Sequence, residues 1–457
     1  MKKIALIMGV IIICLSLTIG LHNITSIESL MRPPKLSGEN RLLQQAFEKT
    51  VSDSDGIVMK NPLSGNYTSS YLFFDMNNDN IDEAFVFYSD LSEDNLACVS
   101  IFKMENDDWS FISKIKGLNE DFYEINFADI NGDRNYEILL SFKATEQIES
   151  VNSTKFTTFG NHILSVYSFD NVSTMLLKTE LYSDLYISDF NNDNCDDFFF
   201  VDISLSGQEK NTTGRILSFN EDYSVAQEQR FSLTGMLEIY NIATDLYKEN
   251  NNEFTRIFID GAISERGIIT EIVSINHKDF SLSLPLYEQN HSTQPSTLRD
   301  SKIFSLDFDM DGLIEIPTLE AFPYAERISK GSNERTPLNL TVWNEFNSSG
   351  LSPDKKCVLN SSFDYLLIVD ESWINTITAV YDYNNSTLTF YYINEDGTLH
   401  DEIFSLRAFS VPEWSEDTFG YTKLKENTSH IYAYKFFDND IENDFEKYLN
   451  ENFIVYK

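Results

Sequence analysis

Four stretches of this chain place acidic or amide side chains at positions 1, 3, 5 and 9 of a nine-residue loop. They are Asp75, Asn77, Asp79 and Glu83; Asp129, Asn131, Asp133 and Glu137; Asp189, Asn191, Asp193 and Asp197; and Asp307, Asp309, Asp311 and Glu315. Alternating carboxylates and amides in a tight loop make an oxygen cage for a hard divalent cation. Calcium accepts six to eight oxygens in relaxed geometry and magnesium demands a near-ideal octahedron, so the spacing points to calcium.

The neighbours of each loop show what must hold it. Position 2 is apolar every time (Met76, Ile130, Phe190, Phe308), as is the residue after position 9 (Ala84, Ile138, Phe198, Ile316). Such residues pin a loop to a core. A short apolar or alternating run precedes each loop, and near-continuous apolar runs such as 84–88, 138–142 and 198–203 follow. Short runs rich in aromatic and β-branched residues read as strands, and those apolar on both faces as strands buried on both sides. An EF-hand would need flanking helices and a bidentate Glu at position 12. Position 12 is Val86, Leu140, Phe200 and Thr318, which excludes it.

The loops start 54 residues apart (75 to 129), then 60 (129 to 189), then 118 (189 to 307), which is twice 59. A fifth repeat is therefore expected near residue 248. Asp245–Glu253 keeps positions 1 and 9, an apolar second residue and an apolar successor, Phe254. Tyr247 offers no ligand at position 3, however, and Glu249 replaces the shorter Asp, so this unit reads as one that kept its fold and lost its ion. A period of about 58 residues leaves room for four short strands per unit, as in radial sheet repetition. Unit one offers strands at 71–74, 84–89, 96–103 and 109–115, unit two at 123–128, 137–143, 162–169 and 173–180, and unit five at 303–306, 314–319, 338–345 and 356–360.

The pattern D-x-[DN]-x-[DN]-[GN]-x-x-[DE] between the first two strands of a unit resembles the FG-GAP/VCBS type calcium-binding repeat of integrin α-chain propellers and of many bacterial surface proteins. The resemblance covers roughly residues 65–360. It implies a mainly β fold, a β-propeller of about five blades with calcium-binding loops. The chain departs from the pattern at position 6, where Gly312 is the only glycine and Asn80, Arg134 and Asn194 stand elsewhere. Asn tolerates left-handed backbone fairly well and Arg less so, which sets the second loop furthest from the pattern.

Met1-Lys2-Lys3 and the apolar run from Ile4 to Leu21 form a charged start and a hydrophobic segment, so residues 1–21 read as a signal peptide or membrane anchor and the remainder as exported. Three fates stay open: an uncleaved anchor just long enough to span, a lipoprotein joined through Cys14, or cleavage near Thr18 and Gly20. Membrane attachment is the favoured reading. Residues 31–35 form a stiff spacer that resembles the post-signal region of Gram-positive surface lipoproteins carrying such repeats. With 34 basic and 72 acidic residues the net charge is −38, the wrong sign for nucleic-acid phosphates or anionic headgroups. The plainest meaning of that charge is solubility.

The expected domains are 22–60, a spacer and capping helix; 61–360, the repeats; and 361–457, a small C-terminal α/β domain. The helix lies over Glu39–Val51, with an apolar stripe at Leu42, Leu43, Ala46, Phe47 and Val51. In the last domain we expect a strand at 365–369, a helical or irregular piece at Trp373, a hairpin of 387–393 and 398–408 around Asn394–Gly397, a strand at 431–437, and a helix from Ile441 to Phe453. Asp438, Asp440, Glu442 and Glu446 repeat the acidic spacing, but a helix start explains them better. Closure of a ring would allow a Cys98–Cys357 bridge.

A search for catalytic patterns finds no H-E-x-x-H, no G-x-S-x-G and no cysteine pair at zinc spacing, and the six histidines are scattered singly. Trp109, Trp343, Trp373 and Trp414 could stack on sugars, although aromatic residues in strands more often fill cores. Two functional readings follow. The favoured one is a non-catalytic extracytoplasmic binding or scaffold module for a protein or glycan at the cell surface; the alternative is a polysaccharide-active hydrolase or lyase built on the same frame.

Overall fold

The computed structural model describes residues 39–455 except 55, 152–156, 207–208, 234, 265–266, 293–295, 301, 323–334, 384, 396–397, 416–419 and 438–441. The export segment 1–21, Cys14, the spacer before residue 39, Gly397 and the Asp438 and Asp440 pair therefore lie outside the described residues. None of the described helices is long and apolar enough to cross a membrane.

The chain is mainly β and folds into several antiparallel sheets. Its near-continuous apolar runs are strands covered on both faces, as the pattern requires. In the first sheet, β1 (Ile57–Met59) and β2 (Tyr71–Phe74) both pair with β3 (Glu83–Asp90), followed by β4 (Leu96–Glu105) and β5 (Asp108–Lys116). All eight residues of β3 are buried. Helix α1 (Glu39–Thr50) covers one face of this sheet. Its Leu43 and Phe47 are buried among Ala84, Val86, Tyr88 and Phe102, with the Phe47 ring edge-on to Tyr88 at 5.0 Å.

The second sheet runs in sequence order through β6 (Glu124–Ala128), β7 (Glu137–Val151), β8 (Thr157–Phe169) and β9 (Thr174–Tyr182). The third does the same with β10 (Asp184–Ser188), β11 (Asp197–Ser206), β12 (Glu209–Phe219) and β13 (Val225–Leu233). So does the fourth, with β14 (Glu238–Glu249), β15 (Asn252–Ser264), β16 (Gly267–Asn276) and β17 (Leu282–Ser283), followed by the short helix α2 (Tyr287–Asn290). Two compact units divide the chain, Met1–Gln147 with Asn161–Leu181 and Ile148–Gly160 with Tyr182–Lys457.

Next come β18 (Ile316–Ala321), β19 (Arg335–Pro337), β20 (Asn339–Asn347), β21 (Gly350–Asn360) and β22 (Tyr365–Ile368). The fifth sheet is β18-β20-β21-β22, and the expected strand at 303–306 contributes only a bridge between Leu306 and Glu315. β19 leaves this sheet to pair with β23 (Ile377–Asp382) of a sixth. That sheet continues with β24 (Thr387–Ile393), β25 (Leu399–Ser410), β26 (Thr422–Glu426) and β27 (His430–Phe436), ordered β19-β23-β24-β25-β27-β26.

The terminal helix α3 (Glu442–Asn452) stops one residue short of Phe453, where β28 (Phe453–Val455) begins and pairs with β22. Phe453 is buried between the rings of Tyr365 and Tyr432, which draws the backbone out of the helix. One core joins Leu340 and Val358 of the fifth sheet to Phe390, Phe404 and Leu449. The last hundred residues thus share strands and core with the fifth repeat.

The Cys98–Cys357 bridge does not form, and both residues are buried thiols. Cys98 donates to the Leu96 carbonyl, and Cys357 accepts from the Trp343 indole at 3.4 Å. Trp109 and Trp343 are buried, and Trp373 and Trp414 half-buried, so these rings serve packing.

Glu271 on β16 is fully buried, and burial pushes its carboxyl up to about 7 against a hydrogen bond with Asn290 that pulls it down. Between its ordinary 4.5 and that value the folded chain keeps a proton that the unfolded chain has lost, so this group lowers stability as pH rises through the window. Glu271→Gln should therefore unfold at higher urea than the parent at pH 8, with the gap shrinking at pH 4. A gap of equal size at both pH values would contradict the burial argument.

Candidate metal centres

Three of the acidic loops join the first two strands of their repeats, the fourth joins the Leu306 bridge to β18, and all four are wound by similar hydrogen bonds. In the first, the two Asp75 carboxylate oxygens accept the N–H groups of Asp79 and Asn80 at 3.1 and 2.8 Å, and Asp79 accepts from Ile81 at 2.8 Å. Asp189 accepts from Asp193 and Asn194 at 3.1 and 2.8 Å, and Asp307 from Asp311 and Gly312 at 3.1 and 3.0 Å. Asp129 accepts from Gly132 and Arg134 at 2.8 and 2.9 Å, one residue earlier for the first bond.

This winding needs left-handed backbone at positions 4 and 6. Position 4 is Asn78, Gly132, Asn192 and Met310, with φ of 56°, 77°, 61° and 64°. Position 6 is Asn80, Arg134, Asn194 and Gly312, with φ of 66°, 69°, 67° and 92°. Arg134 takes the same conformation as the asparagines despite its side chain, so the departure from glycine leaves the second loop's path intact.

Position 9 closes each loop from below. Glu83, Glu137, Asp197 and Glu315 accept the backbone N–H of Met76, Ile130, Phe190 and Phe308 at 3.0, 3.1, 3.0 and 2.6 Å. All four carboxylates are buried, as are Ala84, Ile138, Phe198 and Ile316 after them. Burial, with the neighbouring carboxylates adding to it, pushes Glu83 and Glu315 to about 7 and Asp197 to about 8. The buried Asp197 Oδ1 has no hydrogen-bond partner. A buried anion in this state calls for a positive charge. An oxygen-only donor set with that deficit fits a hard cation such as calcium.

In the fourth cage, oxygens of Asp307, Asp309 and Glu315 lie within 4.8 Å of one another, while Asp311 stands outside that group. Here position 3 is Asp309, whose carboxylate the Lys355 ammonium at 2.8 Å holds below its ordinary range. Lys355 is also bonded to Asp354 at 2.9 Å. The Asn131 and Asn191 amides instead donate to Asp133 and Asp193 at 3.1 and 2.8 Å, and Asn77 donates to Asn171 at 2.9 Å.

Repeat four is different. Where the others have a loop, β14 and β15 run on as a hairpin closed at Asn250 and Asn251, both left-handed at φ 50° and 64°. Two successive left-handed residues suit the twist of a tight hairpin. Asp245 at position 1 is buried and paired with the buried Arg256, whose Nε donates at 2.7 Å while Nη2 reaches the second oxygen. Asp245 also accepts the Ile314 N–H at 3.0 Å. A guanidinium thus meets the position 1 carboxylate of this repeat, where in the other repeats position 1 accepts backbone N–H groups. Sequence reading missed Arg256 and Lys355, although a lone Arg inside the apolar strand 254–259 was a signal that an anion faces it.

The molecule is a mainly β protein carrying four acidic loops at strand junctions. No family model and no curated protein matches the chain. A search of solved structures finds a putative 6-phosphogluconolactonase from Bacteroides uniformis ATCC 8492 at 12% identity, covering 66% of this chain and 90% of that one, with a TM-score of 0.18. It also finds a B. megaterium levansucrase mutant at 10% identity, covering 71% and 94%, with a TM-score of 0.18. Superpositions that poor carry no argument about fold or activity.

The two kinds of repeat separate by mutation. Asp307→Ala should remove one equivalent of bound calcium. Asp245→Ala should leave the stoichiometry unchanged but cost about 3–5 kcal/mol, because it strands the buried Arg256 charge. Calorimetric titration with calcium and urea unfolding of both variants check this; an equal loss of calcium from the two would refute the distinction.

Proposed function

We propose that the protein is a calcium-binding β-propeller of about five blades, attached to the membrane by its N-terminal segment and acting outside the cytoplasm as a non-catalytic binding or scaffold module. The observation that carries this reading is the fourfold recurrence of one hydrogen-bonded acidic loop, each closed by a buried carboxylate. Calcium in each cage offsets that buried charge and ties the first two strands of a blade together. The 1, 3, 5, 9 ligand sets supply the side-chain oxygens, with position 7 contributing a backbone carbonyl.

Support for a binding role comes from the chemistry of the remaining acids. Glu83, Asp197, Glu315 and Glu271, all held above their ordinary range, belong to the loops and to β16 and line neither the cavity at Tyr247 and Phe346 nor the one at Asp382 and Tyr421. On this reading the three loop carboxylates hold cations and Glu271 serves packing. The strong negative charge keeps such a module solvated and clear of anionic polymers.

The cages exist only in the folded chain, so calcium at ten times its dissociation constant should add about 1.4 kcal/mol per independent site. Melting temperature should rise clearly from EGTA to millimolar calcium. Coincident melting curves would overturn the metal reading for all four loops.

A further inference from the structure

The repeat without a cage carries a cavity of about 400 Å³ in the second unit. Tyr247 and Glu249, at the positions where the other repeats hold ligands 3 and 5, line it. Phe254 lines it too, and occupies the position that is fully buried as Ala84, Ile138, Phe198 and Ile316 elsewhere but is half-buried here. Phe346, at the end of β20, adds a third half-buried ring. From these placements we propose that repeat four has exchanged its cation for a small-molecule site, and that the ligand is a neutral saccharide of one or two rings.

The chemistry of the walls selects that class. Half-buried rings offer apolar faces on which the C–H face of a sugar can stack. Around them stand groups that both donate and accept, Ser274, Ser283 and Gln289, as sugar hydroxyls require. Arg256 lines the cavity as well, but its charge is spent on Asp245, it donates to the Phe346 carbonyl, and its guanidinium lies over the Tyr247 ring at 4.3 Å. The remaining guanidinium N–H groups can meet a hydroxyl, while the Asp245 and Glu249 carboxylates repel an anion. A rigid Arg–Tyr pair leaves little side-chain freedom to lose on binding. Ser283, Gln289 and Ser348 at the rim are exposed, so the mouth is open to solvent.

This inference deepens the binding-module reading while standing apart from the calcium cages. The full exported chain is titrated by calorimetry and saturation-transfer NMR with glucose, galactose, N-acetylglucosamine, cellobiose and diacetylchitobiose, in calcium and in EGTA. At least one should bind with a dissociation constant of about 1 mM. Ser348→Trp, which blocks the mouth from an exposed turn, should weaken it at least about tenfold, and Gln289→Ala about threefold, both with unchanged melting temperatures. Absence of binding by all five sugars up to about 50 mM overturns the proposal, as does binding that neither variant alters. A calcium-dependent melting temperature beside failed sugar binding would sink the cavity assignment and leave the metal reading standing.

Discussion

A carboxylate buried beneath each strand junction is the constraint on which the rest of the structure depends. Position 9 must be inside, because its oxygen accepts the N–H of position 2 and so folds the loop back onto the sheet. Once inside, it is an anion without water, and its charge must be met. Four repeats leave that to oxygen cages open to a cation. In repeat four position 9 is the exposed Glu253, and the buried carboxylate is instead Asp245 at position 1, which Arg256 meets.

The same logic recurs away from the loops. Arg215 pairs with Asp202 at 2.6 Å between β12 and β11, and Arg299 with Asp260 at 2.7 Å. Asp260 further accepts the Ser305 N–H at 2.7 Å and an Asn241 amide at 2.9 Å, while Arg299 donates to the Ile303 carbonyl at 2.6 Å. These bonds tie the segment entering the fourth acidic loop to β14 and β15 of the fourth sheet. Losing one partner of such a pair costs more than the pair contributes, which makes them registers for the chain path as much as stabilisers.

Much of this was legible residue by residue. Strands such as β3 and β11 announce themselves as apolar runs because both faces are covered, and α1 by the stripe that puts Leu43 and Phe47 against β3. Position 6 asparagines foretold left-handed backbone. The hairpin at 245–253 was harder, since its acids kept loop spacing while Asn250-Asn251 closed a tight turn. β19 and β28 were invisible for another reason: three-residue strands have no periodicity to read, and only the edges of partner strands β23 and β22 define them.

By itself the sequence determined the ligand types, their spacing, the repeat length and the anchors at positions 2 and 10, because each is a local pattern set by backbone geometry and hydrophobicity. Tertiary structure alone decided which buried charge faces which. Arg256 meets Asp245 across a strand pair, Lys355 meets Asp309 from β21, and Phe254 is left half-exposed beside a cavity. Such pairings join residues through space and leave no mark in the periodicity of either segment, so the chain had to fold before they could be seen.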